Sequence, residues 1–285
     1  MKISKNNLVI MLMLFVLTVA FDNIFWPYPD QTFFSMLALQ MIIAVASISP
    51  IGTFLLRLLY GSRKLQTRAE IVRLEPLFIE VYEEVKVQNP KINKNIHLYI
   101  DDDLNMNAYA INNTITITKG AIAGMTDEEL KGVLAHEFGH IRNGDTSLTA
   151  FTLLGNTAFL FIFLAIKIIH VCVWLFSAFT DDDFMLSRFF GGISNLAIAL
   201  FMFLLNAILM INSRANEFQA DKFAFELGYG ENLLSALYLL DRFDIGHKMG
   251  IIEKIKSSHP NTPERIGRLE SMITNCEESE FSFSM

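Results

Sequence analysis

Residues 135–145 read AHEFGHIRNGD and contain a His-Glu-x-x-His pattern, with the two histidines four residues apart. Upstream, Thr126 and Glu129 have the spacing of a capping box, which marks the start of a helix. Downstream, Asn143-Gly144 is a typical signal for the end of a helix. The motif is therefore predicted to lie on one capped helix. The apolar stripe of that helix comprises Leu130, Val133, Leu134 and Phe138.

This pattern is suited to a catalytic metal site, because residues four apart share one face of a helix. His136 and His140 can therefore present two imidazoles to one ion. Glu137 lies beside them and can accept a proton from a water that the metal activates. Zinc is the expected metal, with one ion per chain, since two histidines and a carboxylate leave a position open for water.

A third ligand is expected in the stretch NSRANEFQADKFAFELG, residues 212–228. Glu217 and Asp221 are four residues apart, so they would share a helical face. Glu217 can complete the metal site, and Asp221 can accept the second ring N–H of a ligand, with His136 as the expected partner. The alternative is a solvated acidic face, which the apolar surroundings disfavour. Arg214 can pair with a buried acid or hold the helix of Glu217, and the sequence leaves this open.

The composition predicts a membrane protein. Of the 285 residues 52% are hydrophobic and 19% are charged, and the mean hydropathy is +0.36, which is more apolar than soluble domains usually are. Four transmembrane helices are predicted, at 6–27, at 33–57 and as a hairpin over 148–212. The first run also resembles a signal peptide and the third a buried core helix, but the nearby second span and the length of the third disfavour these alternatives. The net charge of −7 gives no reason to expect a nucleic-acid partner.

Basic residues predict the orientation of the spans, because cytoplasmic loops are enriched in lysine and arginine. The N-terminus carries Lys2 and Lys5, and the segment 57–68 carries four more basic residues. Both termini and the polar regions are therefore expected to face the cytoplasm. Lys167 and His170 lie within the third span. They are interpreted as groups that pair within the bundle or snorkel, and a functional role is the alternative.

The polar regions, 62–147 and 213–285, are expected to form the two parts of one cytoplasmic protease core. Residues 66–88 have helical periodicity, and Pro76 is expected to bend that helix. Its predicted apolar face comprises Ile71, Leu74, Phe78 and Val81.

A small sheet is predicted between the two helices. NIHLYI at 95–100 and TITIT at 114–118 alternate like strands, and NMNAYAINN between them has the pattern of a short strand. The predicted fold is therefore a mainly α membrane protein: four transmembrane helices plus an α+β zincin-like metalloprotease core with a small sheet.

The combination of LAHEFGHIRNGD with SRANEFQAD resembles the HtpX family of integral-membrane zinc metalloendopeptidases, relatives of the CAAX prenyl protease. MNAYA at 106–110 resembles the Asn-Ala-Phe-Ala edge strand of that family, and SHPNTPERIGRL at 258–269 resembles its Thr-His-Pro-x-x-x-x-Arg-Ile element. The resemblance covers nearly the whole chain. Asn216 and Gln219 depart from the arginine and histidine that the family often has, so substrate preference or local electrostatics are expected to differ.

The resemblance implies His136, His140 and Glu217 as metal ligands and Glu137 as the general base. It also suggests how substrate binds, because an extended peptide can pair with an edge strand and place a carbonyl over the metal. An ordinary sheet edge is the alternative. The strand residues concerned are Asn107, Ala108, Tyr109 and Ala110.

His259 has two interpretations. It can approach the metal or polarise the substrate carbonyl, or it can belong to a His-Pro turn that holds Arg265 and the final helix. The structural interpretation is favoured, because a functional role needs a geometry that the sequence does not give.

Together these features predict a membrane-bound zinc endopeptidase, multi-pass in the bacterial inner membrane, with its active site in the cytoplasm. The resemblance implies unfolded, misfolded or damaged membrane proteins as substrates, in quality control and the stress response. The lipid bilayer is the other expected partner, and self-cleavage or a homo-oligomer is compatible with this function. One alternative is a zinc-binding scaffold or pseudoprotease, which the intact Glu137 disfavours. The other is an intramembrane site-two-type protease, which the charges flanking the motif disfavour.

Overall fold

The structure is a computed structural model that describes residues 7–16, 38, 41–43, 45–90, 92, 95–154, 214–246 and 262–283. In chain order, the elements are α1 (Asn7–Val16), α2 (Met41–Ser47), α3 (Pro50–Leu59), α4 (Arg68–Gln88), β1 (His97–Asp101), β2 (Ala108–Ile111), β3 (Thr114–Thr118), α5 (Lys119–Gly124), α6 (Asp127–Asn143), α7 (residues 145–154), α8 (residues 214–226), α9 (Gly230–Gly246) and α10 (Thr262–Phe283). The described fold is mostly helical with a small mixed sheet.

The described residues fall into two compact units. The first unit contains residues 53–147 together with the described residues after 211. The second contains the described residues between 5 and 52 and residues 148–154. The predicted division into spans and a two-part cytoplasmic core stays a prediction.

Helix α4 begins at a capping box formed by Thr67 and Glu70, and it continues without interruption through Pro76. Its buried face confirms most of the predicted stripe. The buried residues are Leu74, Leu77, Phe78, Val81, Tyr82 and Val85. Ile71 lies in this helix as its spacing predicts, but its side chain, in the first turn of α4, is 39% exposed.

The three predicted strands form one sheet in the order β1-β3-β2. β1 pairs with β3 in parallel, and β2 pairs with β3 antiparallel, so β2 is an outer strand of the described sheet. Ile115 and Ile117 of β3 and Ala108 and Ala110 of β2 point to the side of the hydrophobic core. α6 packs against β2 and β3 on this side.

Helix α6, which carries the His-Glu-x-x-His motif, has the predicted ends. The Thr126 side chain accepts from the backbone of Glu129, the Glu129 side chain caps in return, and Gly144 ends the helix with φ 77°. The left-handed conformation at Gly144 is favourable for glycine, and its N–H reaches the last carbonyls of the helix. Both the start and the end of the helix are thus encoded by local sequence.

The middle of α6 is buried between α4 and α9. Phe138 is fully buried and stacks against the α4 rings of Phe78 and Tyr82, with ring centroids 5.5 and 5.4 Å apart. Burying an aromatic side chain of this size stabilises a fold by about 1.5–3 kcal/mol. The packing therefore fixes the rotation of α6 about its axis, and with it the face on which the histidines lie.

The predicted membrane spans are described only in part. Among the described residues no single helix is long and apolar enough to cross a bilayer, although α2 and α3, bent by 77°, pass that test as a pair, and α1 is a shorter apolar helix. Of the hairpin at 148–212, only residues 148–154 are described. Most of that hairpin, with Lys167 and His170, lies outside the described residues.

Candidate metal centre

Two helices of the first unit bring the candidate ligands together. α6 supplies His136, Glu137 and His140, and α8 supplies Glu217 and Asp221. The two helices approach very closely: a Cβ added at position 139 would lie 2.8 Å from the Cα of Ala220. Glycine at 139 therefore permits the contact that places the α8 carboxylates against the motif.

The three predicted ligands form one buried cluster. The Nε2 atoms of His136 and His140 lie 3.1 Å apart. The two carboxylate oxygens of Glu217 lie 3.4 Å from these nitrogens, Oε2 next to His136 and Oε1 next to His140. One ligand atom from each residue lies within 4.8 Å of the others, and all three residues are buried.

The orientation of the His136 ring is set by Asp221. Nδ1 of His136 lies 2.9 Å from Oδ1 of Asp221, and the sequence suggested this pair. A carboxylate at Nδ1 selects the tautomer in which Nδ1–H donates and the Nε2 lone pair points toward the cluster.

The ring of His140 has a corresponding partner that the sequence did not predict. Its Nδ1 lies 3.1 Å from Oδ2 of Asp145, which follows the C-terminal cap of α6 directly. Burial alone lowers the pKa of His140. Hydrogen bonds to Asp145 and Glu217 and the charge of Glu137 outweigh that effect, so the net pKa is well above the usual value. The signal in the sequence was an acid immediately after the helix stop.

The buried cation at the site is Arg265 of α10, and sequence reasoning had not connected it to the acids. Its Nε and Nη2 atoms donate to both oxygens of Asp221 at 2.8 and 2.7 Å, and its Nη1 lies 3.0 Å from Oε2 of Glu217. Arg214, which was considered for such a pairing, is exposed at the start of α8. The arginine of the predicted His-Pro element thus lies inside the site, whereas His259 lies outside the described residues.

Glu137 is 1% exposed and lies on α6 next to the first histidine. It is close enough to His140 and Arg265 for its charge to raise the pKa of both groups. A buried carboxylate at this position is suited to accept and release a proton next to the cluster.

The predicted substrate strand is β2 with the residue before it. The backbone of Asn107 pairs with Thr118, since its N–H donates to Oγ1 and its C=O accepts from the Thr118 N–H. In an antiparallel pair, successive residues point their backbone N–H and C=O groups alternately toward the neighbouring strand and away from it. The backbone groups of Tyr109 therefore face β3, and those of Ala110 face away from it. The Tyr109 hydroxyl donates to Asp101 at 3.0 Å. Whether this strand binds substrate stays a prediction.

The donor set fits a zinc ion. Two imidazole nitrogens and one carboxylate match the protein ligands of catalytic zinc, which also requires an open position. Each imidazole is held at its other nitrogen by a carboxylate, as ligand histidines in metal sites usually are. All three candidate ligands are buried, and buried charges are usually paired or bound to a metal.

Comparisons with known proteins match the chain to one peptidase family and to several proteases. A model of peptidase family M48 matches residues 69–273. The protease HtpX homolog of Desulfotalea psychrophila is 30% identical over 195 residues, which are 62% of this chain and 67% of that protein. Protease HtpX of Pasteurella multocida is 29% identical over 195 residues, covering 62% and 65%, and that of Shewanella frigidimarina is 27% identical over 197 residues, covering 58% and 64%. The chain thus spans about two thirds of the length of these relatives.

Among solved structures, the crystal structure of Ste24p from S. mikatae resembles the chain, with a TM-score of 0.49 and 21% sequence identity. The match covers 91% of this chain and 61% of that one.

Proposed function

The chain belongs to peptidase family M48, and from this premise we propose that it is a zinc-dependent endopeptidase bound to the membrane. The observation that carries the proposal is the buried convergence of His136, His140 and Glu217 with Glu137 next to them. A scaffold that only bound zinc would have no use for a buried carboxylate beside the ligands.

Each residue of the site has its own role in the proposed reaction. His136, His140 and Glu217 would hold one zinc ion, which would supply Lewis-acid activation of water and of the substrate carbonyl. Glu137 accepts a proton from the attacking water and then delivers it to the leaving amine of the cleaved peptide bond. Asp221 and Asp145 keep the two imidazoles in the tautomer that presents Nε2.

Substrate binding is proposed at β2. An extended chain would run beside residues 107–110 and pair with backbone groups that face away from β3, as those of Ala110 do. The outer position of β2 in the described sheet and its packing against α6 support this. Pairing through the backbone requires little sequence preference, so misfolded or damaged membrane proteins are the proposed substrates. His259 is proposed to have a structural role in the turn before α10.

The proposed location is the bacterial inner membrane, with several spans and with both termini and the active site in the cytoplasm. The long uncharged runs of the sequence and the basic residues around them support this. A reporter that is active only outside the cytoplasm, fused to the C-terminus, should be silent. An active reporter would reverse the proposed orientation.

The activity is tested with the purified full-length protein and an unfolded membrane protein as substrate. Cleavage should require zinc and stop with a chelator. Glu137→Gln should keep its zinc and lose activity by about 10²–10⁴-fold, which is the usual contribution of a general base. Glu128→Gln, on the exposed first turn of the same helix, is the matched control and should remain active. Full activity of a zinc-loaded Glu137→Gln protein would contradict the mechanism.

A further inference from the structure

Arg265 is the one lysine or arginine among the buried residues that the structure describes. Its side chain is 3% exposed and contacts the two carboxylates that α8 brings to the site. It binds Asp221 with a two-pronged pair of hydrogen bonds, the strongest geometry for an arginine and a carboxylate. Its third contact is to one oxygen of Glu217.

The two carboxylates would otherwise oppose each other. Glu217 and Asp221 are buried four residues apart on one helix, and like charges at this spacing repel. The repulsion is larger in a dry interior than in water. Arg265 places one guanidinium against both groups, since it binds both oxygens of Asp221 and Oε2 of Glu217. Its positive charge therefore offsets the repulsion between the two acids.

The contact also fixes the orientation of Glu217. Its Oε2 atom is bound by Arg265 at 3.0 Å, and its Oε1 atom lies 3.4 Å from the Nε2 of His140. Arg265 thus anchors one oxygen, and both oxygens face the histidines, since Oε2 also lies 3.4 Å from the Nε2 of His136. A Glu217 side chain without this anchor would have rotamers that point away from the cluster.

We infer that Arg265 is a positioning residue for the metal: it holds the third ligand and the acid behind His136, so metal binding depends on the docking of α10. This inference rests on the metal site proposed above. α10 packs on α9, its Ile266 and Leu269 are buried in the hydrophobic core, and Arg265 extends from this helix into the site. The last described helix of the chain is thereby part of the metal site.

An ion pair with only a structural role would behave differently. It would stabilise the fold but leave the affinity for a metal and the geometry around it unchanged in protein that is folded. The test therefore measures metal binding itself, with the full-length protein and two probes. Zn²⁺ affinity is obtained by competition with a chromophoric chelator, and the d–d absorption of bound Co²⁺ reports the ligand geometry.

Arg265→Gln should lower Zn²⁺ affinity by about 10–100-fold, as expected when a group that orients ligands is removed, and should change the Co²⁺ spectrum. Arg265→Lys keeps the charge without the two-pronged geometry and should give an intermediate affinity. The matched control is Arg268→Gln. Arg268 lies on the same helix but is exposed and contacts Glu264 and Phe218, so both readouts should match the wild type.

An affinity equal to or tighter than that of the wild type in folded Arg265→Gln protein would overturn the inference and leave the proposed function intact. If Arg265→Gln does not fold, Arg265→Lys decides: wild-type affinity and spectrum overturn the inference, and a weaker affinity with an altered spectrum supports it. Failure of the wild type to bind either metal would instead overturn the proposed function, and the inference with it.

Discussion

Oδ2 of Asp145 lies 3.1 Å from Nδ1 of His140, so the second histidine of the motif is held by the residue that follows its own helix. Asp145→Asn keeps an acceptor for the ring N–H but removes the negative charge behind it. We expect Zn²⁺ affinity to fall by about tenfold, toward the low end for residues that orient ligands. Chelator competition measures this, and Asp103→Asn, in an exposed loop, is the control. Unchanged affinity would show that Asp145 has no influence on the ligand.

Glu217 is expected to be a metal ligand, so its removal should be more damaging than that of Asp145. Glu217→Ala should weaken Zn²⁺ binding by more than about 100-fold, beyond the range seen for groups that only orient ligands. The measurement is zinc content and affinity of the purified protein. Glu226→Gln, later on α8 and partly exposed, should bind zinc normally. One zinc per chain at wild-type affinity in Glu217→Ala would remove Glu217 from the ligand set.

Local signals explain why so much of α6 was predictable. The capping box joins Thr126 to Glu129, and the N–H of Gly144 bonds to carbonyls three and four residues earlier. Each helix end therefore depends on neighbouring residues and can be predicted from the sequence. Because the helix is regular, the shared face of His136 and His140 follows from their spacing. Glu217 and Asp221 share a face of α8 for the same reason. The sequence does not show that this face lies against α6.

Contacts across the chain were not predictable in the same way. Arg265 lies 44 residues from Asp221 and 129 residues from His136 in sequence, and no periodicity links them. The sequence suggested Arg214 as the partner of a buried acid, and packing supplies Arg265 instead: Arg214 starts α8 at the surface, whereas Arg265 is buried on α10.

Glu70 is expected to make the stability of the first unit depend on pH. Hydrogen bonds from Arg63 and from the backbone N–H groups of Gln66 and Thr67 lower its pKa well below the usual range. A lowered folded-state pKa stabilises the fold above the unfolded-state value of about 4.3, and this contribution is lost as the pH falls further. Glu70→Gln should therefore lower the free energy of unfolding by about 0.5–1 kcal/mol at pH 7.

The same variant should approach the wild type in stability as the pH falls. The difference in unfolding free energy should shrink below about pH 4, because the Glu70 carboxyl of the unfolded wild-type chain then binds a proton while the folded one stays ionised. Denaturant unfolding of detergent-solubilised protein between pH 7 and pH 3 measures it. A difference that stays constant over this range would mean that the charge of Glu70 does not contribute.

Gly139 is expected to be the residue that allows α6 and α8 to carry one metal site. A Cβ at this position would lie 2.8 Å from Cα and 3.1 Å from Cβ of Ala220, and backbone atoms cannot move aside as a flexible side chain can. Gly139→Ala should therefore push the helices apart and weaken Zn²⁺ binding by about tenfold or more, since Glu217 moves with α8. Gly267→Ala is the control, because its added Cβ would meet nothing within 4 Å. That change should raise stability by about 0.5–1 kcal/mol, as alanine does in helices. Wild-type zinc affinity in Gly139→Ala would show that the close approach of the two helices is not what positions the third ligand.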